Sequence, residues 1–400
     1  MASFLHLDTY LDTIERAAQR RDGRTLASLL SLSHQHAEND RLCVENPELE
    51  VSGRVNPPWQ EVVATHLRTA WSRRRGAFDE AFDCQTIIVQ AFSRAFQAME
   101  SENWPLPVML TLAVDLRRLA CRCAAAGYGK KPHEHLEKAA DSIMGLFRVC
   151  ASDSRATMEK SKKWGMMGLC NQLFKIYFRI NKLNLCKPMV RAIDNLVWPK
   201  DRFSLAQAIT YNYYTGRKAI FEDNFQDAQK FLSFAFHRCH RRAHSNKRQI
   251  LIYLIPVRML LGSLPRQQLL RKYSLLQFSG IATAVRSGNV LQLKQELERN
   301  EQFFISCGIY LILEKLRMIT YRNLFKKVFL ILGSFQLDIA AFTAALQFLQ
   351  EEDADAELTQ CIVANLIYEG KIRGYIAYQQ QKLVVSKQQA FPSIFACGSN

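Results

Sequence analysis

Hydrophobic residues recur at every third or fourth position along most of the chain, which is the spacing of amphipathic helices. Short turns separate the predicted helices, as at Asp22-Gly23 and at Ser287-Gly288-Asn289. The longest polar interruption, residues 34–58, contains several turn residues and is predicted to be an exposed loop. Almost no segment before residue 328 alternates as a strand does. The pattern therefore predicts a mostly α-helical chain of stacked helix pairs, an α-solenoid.

The helix pairs become most regular after residue 203. Tyr213, Tyr214 and Gly216 lie on one predicted helix, and Ala228 lies on the next. This arrangement resembles the two-helix tetratricopeptide consensus, in which small residues let two helices approach and aromatic residues fill the space between them. We therefore expect the helices of this region to pack as pairs.

Near the C-terminus the hydrophobic pattern changes, because short strands join the helices. The predicted order is a helix at 311–323, a strand at 328–332, a helix at 336–349, an acidic loop at 351–353, a helix at 356–369 and two strands at 372–378 and 382–385. Gly333 ends the first strand, and Gly370 closes the last helix as a C-cap glycine does. This order predicts a winged helix that caps the solenoid.

The helix at 356–369 occupies the position that enters the major groove in DNA-binding relatives of the helix-turn-helix type. It contains Glu357, Gln360, Asn365 and Glu369, and neither Arg nor Lys. Phosphates repel an acidic helix, and phosphate contacts supply most of the affinity for DNA. The sequence therefore favours packing of this unit against another protein. A sequence-specific DNA regulator is the least favoured alternative.

The composition is that of a folded chain without a membrane span. Of the 400 residues, 48% are hydrophobic and 22% are charged. No apolar run reaches the roughly 18 residues that a transmembrane helix needs, and residues 1–30 resemble neither a signal peptide nor a transit peptide. The eleven cysteines follow no disulfide framework, which favours reduced thiols in the nucleus or cytosol.

The chain is strongly basic, with 53 Lys and Arg against 37 Asp and Glu and a formal net charge of +16. This balance favours a polyanionic partner such as RNA, DNA or an acidic protein. A basic surface that only maintains solubility is the alternative, and charge alone does not separate the two.

Two clusters of cations are candidate nucleic-acid contacts. The first, in the predicted winged helix, comprises Lys315, Arg317, Arg322, Lys326, Lys327, Lys371, Arg373 and Lys382. Four aromatic residues among them are candidates for base stacking: Tyr321, Phe325, Tyr375 and Tyr378. The second, in a turn between two solenoid helices, comprises Arg238, Arg241, Arg242, Lys247 and Arg248. Both clusters suit phosphates or an acidic peptide, while solvated charges and core aromatics are the alternative.

Neither a catalytic motif nor a metal-binding spacing is found. No G-x-S-x-G or G-x-G-x-x-G occurs, and His133-Glu134-His135 is not the HExxH of zinc peptidases. The histidines and the cysteine at 237–244 match no zinc finger. We therefore expect no enzymatic activity, no metal and no cofactor.

Helix pairs that run directly into a winged helix resemble PCI-domain proteins, which are subunits of the proteasome lid, the signalosome and a translation initiation factor complex. The resemblance covers residues 211–385. It is carried by residues 278–289 (FSGIATAVRSGN), Phe303, Phe304, Gly308 and the helix at 311–323. It implies helical repeats at 1–205, the helical part of a PCI domain at 206–310, a winged-helix subdomain at 311–387 and a tail at 388–400.

The strings at 224–240, 246–262 and 284–290 are most similar to PCI subunits of nuclear messenger-RNA export complexes. This resemblance implies a non-enzymatic subunit whose winged helix pairs with a scaffold, the germinal-centre-associated nuclear protein (Sac3 in yeast). It also implies a small acidic partner of the DSS1/Sem1 type, RNA binding, and a location in the nucleus at the nuclear pore, with the cytoplasm as an additional site. A purely structural subunit of the proteasome-lid or signalosome type is the alternative.

Overall fold

The computed structural model is mostly helical (72%) with a small sheet near the C-terminus. It describes residues 6–394 except 43, 100–101, 130, 132, 155–156, 197–201 and 351–353, so the predicted loop at 351–353 and residues 395–400 of the predicted tail lie outside the described residues. The chain forms two compact units, Met1–Tyr211 and Asn212–Asn400. Within the described residues, no helix is both long and apolar enough to cross a membrane. The predicted fold class is confirmed.

In the first unit, most helices pack against the next helix along the chain. The helices are α1 (Leu7–Gln19), α2 (Gly23–Leu29), α3 (Pro47–Val51), α4 (Trp59–Arg74), α5 (Phe78–Ala98), α6 (Leu106–Ala126), α7 (Glu134–Ala151), α8 (Met166–Tyr177) and α9 (Cys186–Asp194). Asp22 begins α2, because its carboxylate accepts hydrogen bonds from the backbone N–H groups of Arg24 and Thr25, each 3.1 Å away. Phe82 and Phe96 of α5 are fully buried in the core of this unit.

The segment 34–58, predicted to be an exposed loop, is mostly exposed but is not irregular throughout. The segment forms two 3₁₀ turns and α3, and Val51 and Val55 are buried. His36 is buried as well, with its ring centroid 5.4 Å from that of His66 on α4. The apolar residues of this segment follow neither the helical nor the strand period, so the sequence pattern could not reveal their burial.

The second unit continues the helix pairs, and the boundary between the units falls within α10 (Leu205–Phe221). The helices that follow are α11 (Phe225–Arg238), α12 (His244–Leu260), α13 (Gln267–Lys272), α14 (Gln277–Ser287), α15 (Val290–Arg299), α16 (Glu301–Cys307) and α17 (Tyr310–Glu314). Gly216 allows α10 and α11 to approach, since an added Cβ would lie only 2.7 Å from Leu232 Cγ. This is the close approach that the tetratricopeptide-like pattern predicts.

The turn between α14 and α15 packs directly on α18 (Leu316–Leu332). Gly288 closes α14 with a left-handed φ of 70°, and its lack of a side chain leaves room for the backbone of Leu324. Asn289 begins α15, because its Oδ1 accepts a backbone N–H of that helix at 2.9 Å. Asn323 of α18 donates from Nδ2 to the Val285 carbonyl oxygen, 2.7 Å away.

We expect Gly288→Ala to destabilise the second unit more than Gly370→Ala. Both glycines have positive φ, 70° and 69°, and alanine in this conformation costs about 1–2 kcal/mol. Only at position 288 would the new Cβ meet backbone, 2.5 Å from the Leu324 nitrogen, whereas nothing lies within 4 Å at position 370. Denaturant unfolding of the two variants measures the difference. Equal losses of stability would contradict the packing of this turn on α18.

The remaining elements form a winged helix in the predicted order. After α18 come β1 (Gln336–Asp338), α19 (Ile339–Phe348), α20 (Ala356–Tyr368), β2 (Gly374–Ala377) and β3 (Lys382–Val385). Strand β3 lies between the other two and is antiparallel to both, with Leu383 opposite Leu337 on one side and Ile376 on the other. The helix that was predicted to begin at residue 336 begins at Ile339 instead, because residues 336–338 form β1.

The predicted strand at 328–332 is wrong, because these residues are the end of α18. The helix stops at Gly333, which has a φ of 61° and whose N–H donates to the Phe329 carbonyl oxygen at 3.0 Å. Leu330 and Ile331, which a central strand would bury, are 64% and 82% exposed. A short continuous apolar run does not distinguish a strand from a helix, which is why the prediction failed.

One apolar core holds the winged helix together. Phe325 of α18 and Phe342 of α19 are fully buried, with ring centroids 4.8 Å apart. Leu366 of α20 joins them. The core continues past β3, since Ala390 and Pro392 are also buried. The described part of the predicted tail therefore packs on the winged helix.

Candidate nucleic-acid interface

Three candidate cations are exposed and form no ion pair with any described residue. Lys326 and Lys327 follow the core residue Phe325 on α18, and Arg373 immediately precedes β2. The backbone of Arg373 is fixed on both sides, because its N–H donates to the Ala390 carbonyl oxygen at 2.9 Å and its carbonyl oxygen accepts from Ser386 N at 2.8 Å. We call Lys326, Lys327 and Arg373 the winged-helix cations. They offer positive charge from rigid elements.

The other exposed or half-buried cations of the first cluster contact protein groups. Three lysines pair with a carboxylate at the given Nζ–O distance: Lys315 with Asp223 (2.5 Å), Lys371 with Glu369 (2.5 Å) and Lys382 with Asp338 (3.9 Å). Arg317 is exposed, and its Nε donates to the Tyr321 hydroxyl at 2.8 Å. Ion pairs at a surface are worth about 0–1 kcal/mol. These four cations therefore add to the local positive field and are less available than the winged-helix cations.

Arg322 does not belong to an exposed interface, because it is only 6% exposed. Its Nη2 donates to the carbonyl oxygens of Phe391 and Pro392, at 3.1 Å and 2.8 Å, and its Nη1 donates to Asn323 Oδ1 at 2.9 Å. A buried guanidinium requires such acceptors. Arg322 therefore attaches the chain after β3 to α18, and its predicted contact with phosphate is wrong.

Two of the four aromatic candidates remain available for stacking. Tyr375 and Tyr378 are 63% and 71% exposed, whereas Tyr321 and Phe325 are 5% and 0% exposed. The helical period of α18 places the latter two in the core, so the stacking hypothesis is wrong for them. Tyr375 lies on β2, two residues after Arg373, so an exposed ring and an exposed cation are close along the chain.

Helix α20 has the acidic character that the sequence predicts. Asp355 begins it, since its Oδ1 accepts from Leu358 N at 2.7 Å. Glu357 and Asn365 are exposed, and Gln360 Nε2 donates to Gln381 Oε1 in the turn between β2 and β3. The side of the winged helix that would face DNA in a base-reading relative thus offers carboxylate and amide groups instead of cations.

The second cluster lies at the turn between α11 and α12. Its exposed members are Arg238, Arg241 and Arg242, and its half-buried members are Lys247 and Arg248. Lys247 Nζ lies 4.6 Å from the centroid of the Phe236 ring. None of the five forms an ion pair with a described residue. The turn is therefore a second exposed patch of positive charge.

Sequence reasoning missed an exposed apolar patch at the C-terminal end of α18. Leu330, Ile331, Leu332 and Phe335 are 64%, 82%, 48% and 42% exposed. We call these four residues the α18 patch. Clustered exposed apolar residues of this kind indicate a protein contact. The run VFLIL at 328–332 was the available signal, but it also fits a strand.

Comparison with known proteins agrees with this architecture. The sequence model of the PCI domain matches residues 295–387, from α15 to just past β3. PCI domain-containing protein 2 of Danio rerio is 52% identical over 394 residues, covering 97% of this chain and 98% of that protein. The Xenopus laevis protein of the same name is 50% identical and the Drosophila melanogaster homolog 49%, with the same coverage.

The chain belongs to the PCI domain-containing protein 2 family. PCI-domain proteins are generally non-catalytic structural subunits. Among the cysteines, burial raises the pKa of Cys150 to about 12 and also raises the pKa of Cys170. A thiol with a raised pKa stays protonated at neutral pH and is a poor nucleophile.

Proposed function

We propose that this PCI-family chain is a non-enzymatic subunit of a nuclear messenger-RNA export complex. It pairs its winged helix with a scaffold of the germinal-centre-associated nuclear protein (Sac3) type and holds a small acidic DSS1/Sem1-like protein. It binds RNA through phosphates, without reading sequence. The complex would act in the nucleus, at the nuclear pore.

The observation that carries the RNA-binding part is the exposure of the winged-helix cations. Lys326, Lys327 and Arg373 are held on rigid elements without a carboxylate partner among the described residues. Such cations gain more from a phosphate than cations that must first leave an ion pair. Tyr375 supplies an exposed ring near Arg373 for a single-stranded base.

The part of the proposal that concerns the scaffold is supported by the α18 patch. Its aliphatic side chains are exposed in this chain, and packing against an apolar surface of a second winged helix would remove them from water. The acidic α20 supports the same reading, because an element of that charge suits a protein neighbour better than a nucleic acid.

The test is RNA binding by the purified full chain across a salt series, using a single-stranded oligonucleotide. We expect log affinity to fall with log salt by about 0.7 for each neutralised phosphate. The triple variant Lys326→Glu/Lys327→Glu/Arg373→Glu should bind more weakly and with a flatter slope. Its matched control is Arg20→Glu/Arg24→Glu/Arg41→Glu, which makes the same change in net charge at exposed positions of the first unit.

Equal losses in both triple variants would mean that only net charge matters, and would contradict the proposed interface. Normal binding by the winged-helix variant would move the contact elsewhere, first to the turn between α11 and α12. No RNA binding by the parent, alone or with its scaffold, would favour the alternative of a purely structural subunit of a proteasome-lid or signalosome type. Identification of the proteins that co-purify with the chain separates those assemblies.

A further inference from the structure

Three potential metal ligands meet where the ends of three helices of the first unit come together. Asp79 lies in the first turn of α5, Cys123 in the last turn of α6 and His135 in the first turn of α7. Because these helices alternate in direction, the start of α5, the end of α6 and the start of α7 share one end of the unit. The three residues span 56 positions of sequence, so no short sequence motif contains all of them.

The ligand atoms of the three side chains lie within 4.8 Å of one another. Asp79 Oδ1 is 2.6 Å from His135 Nε2, and Cys123 Sγ donates to the Phe78 carbonyl oxygen at 3.3 Å. Four-coordinate zinc with bonds of about 2.0–2.1 Å to nitrogen and oxygen places two such ligands about 3.3 Å apart. To admit a zinc ion at these bond lengths, the Asp79 carboxylate would have to move away from His135 by less than about 1 Å.

Two of the three side chains are held in place before any ion binds. Cys123 is fully buried and His135 is 5% exposed. The histidine ring packs edge-on against Phe82, with centroids 4.9 Å apart, and against Gly129, where an added Cβ would be 3.1 Å from Nδ1. Asp79 is 55% exposed, so the site has a movable ligand and a route to solvent.

The histidine nitrogen available to an ion is Nε2, which contacts Asp79 at 2.6 Å. The other ring nitrogen, Nδ1, is buried without a hydrogen-bond partner among the described residues and packs against Gly129, so it would not touch the ion. The site is therefore defined by the convergence of the three ligand atoms, with the thiol of Cys123 buried beside the pair of Asp79 and His135.

We propose that Asp79, Cys123 and His135 form a binding site for Zn²⁺, with a fourth position open to water or to a further ligand. A set of one carboxylate, one thiolate and one imidazole is a combination that zinc accepts and that magnesium or calcium does not favour. The ion would replace the direct contact between Asp79 and His135 and release the thiol proton to solvent. It would tie the ends of α5, α6 and α7 together, which is a structural role independent of RNA binding.

The test uses the purified full chain, loaded with Zn²⁺ or with Co²⁺ and then freed of unbound ion by gel filtration. We expect one ion per chain, a thiolate-to-cobalt charge-transfer band, and a rise in melting temperature with Zn²⁺. Cys123→Ser should lose the band, and Asp79→Asn should weaken binding by about tenfold or more, since removal of even an outer contact costs that much. The matched controls are Cys121→Ser on the same helix and the exposed Glu80→Gln.

If Cys123→Ser fails to fold, Asp79→Asn still tests the site, because the Asp79 side chain is half exposed and its replacement should leave the fold intact. Absence of stoichiometric zinc in the parent would overturn the proposal. So would a charge-transfer band that persists in Cys123→Ser or that disappears equally in Cys121→Ser, because each result places the metal elsewhere.

Discussion

Replacing Phe342 by alanine should lower the free energy of unfolding of the winged helix by about 3–5 kcal/mol. The side chain is fully buried, and its ring meets that of Phe325 edge-on with centroids 4.8 Å apart. Because α18 and α19 both contribute to this contact, the cavity would remove packing between these two helices in the core of the winged helix. A loss of this size is comparable to much of the stability of a small domain.

Hydrogen exchange of α19 and α20 reports this loss directly, because a chain of two units need not unfold in a single step. The matched control is Phe348→Ala, which removes the same group from the same helix at a position that is 85% exposed. Faster exchange in Phe342→Ala alone is the expected result. Similar exchange in both variants would mean that Phe342 is not a core residue.

Acidification should destabilise the first unit strongly between pH 6.5 and pH 4. Burial, together with smaller effects of the nearby His34 and Arg73, lowers the pKa of His36 from 6.5 to about 4. Burial, with help from His36 and Arg73, also lowers the pKa of His66 well below 6.5. The rings of His36 and His66 are in contact through nitrogens 3.1 Å apart, so protonating both would place two charges together.

In this pH range the unfolded chain binds more protons than the folded chain, because free histidine takes its proton near pH 6.5. Stability therefore falls as pH falls, and the loss is complete only below the folded pKa. At about 1.4 kcal/mol per pKa unit, the shift of His36 alone corresponds to about 3 kcal/mol. The slope of stability against pH is the quantity to measure, by denaturant unfolding at several pH values.

His66→Leu should flatten that slope even if it lowers stability at every pH, because the slope counts only the difference in bound protons. The control is His6→Gln at an exposed position, in which the slope should persist because the buried pair of His36 and His66 is intact. A slope that His66→Leu leaves intact would assign the acid sensitivity to other groups.

Much of the fold follows from hydrophobic periodicity, because most helices here bury one face. The predicted turn at Ser287-Gly288-Asn289 is a turn, and Asp22 and Gly370 mark helix ends as their chemistry predicts. The winged helix was recognisable from the order of its elements. Where a helix buries a single face, the hydrophobic pattern was sufficient to predict it.

The errors occurred where tertiary contacts decide the outcome. The run at 328–332 is apolar all round because one side packs and the other forms the α18 patch, so neither period is visible in it. Arg322 resembles its exposed neighbours in sequence, but carbonyl groups about seventy positions away determine its role. Asp79, Cys123 and His135 are likewise brought together by helix packing alone. None of these contacts can be inferred from the spacing of residues along the chain.

The hydrogen bonds of Arg322 determine where the C-terminus of a winged-helix fragment can be placed. The match to the PCI domain ends at residue 387, and a fragment that stopped there would look complete by alignment. It would nevertheless remove the buried Ala390 and the Phe391 and Pro392 carbonyl groups that receive the guanidinium. Leaving a buried donor without its hydrogen-bond acceptors costs about 1–3 kcal/mol, and more when the donor is charged. The smallest fragment that keeps the winged helix intact therefore extends at least through Pro392.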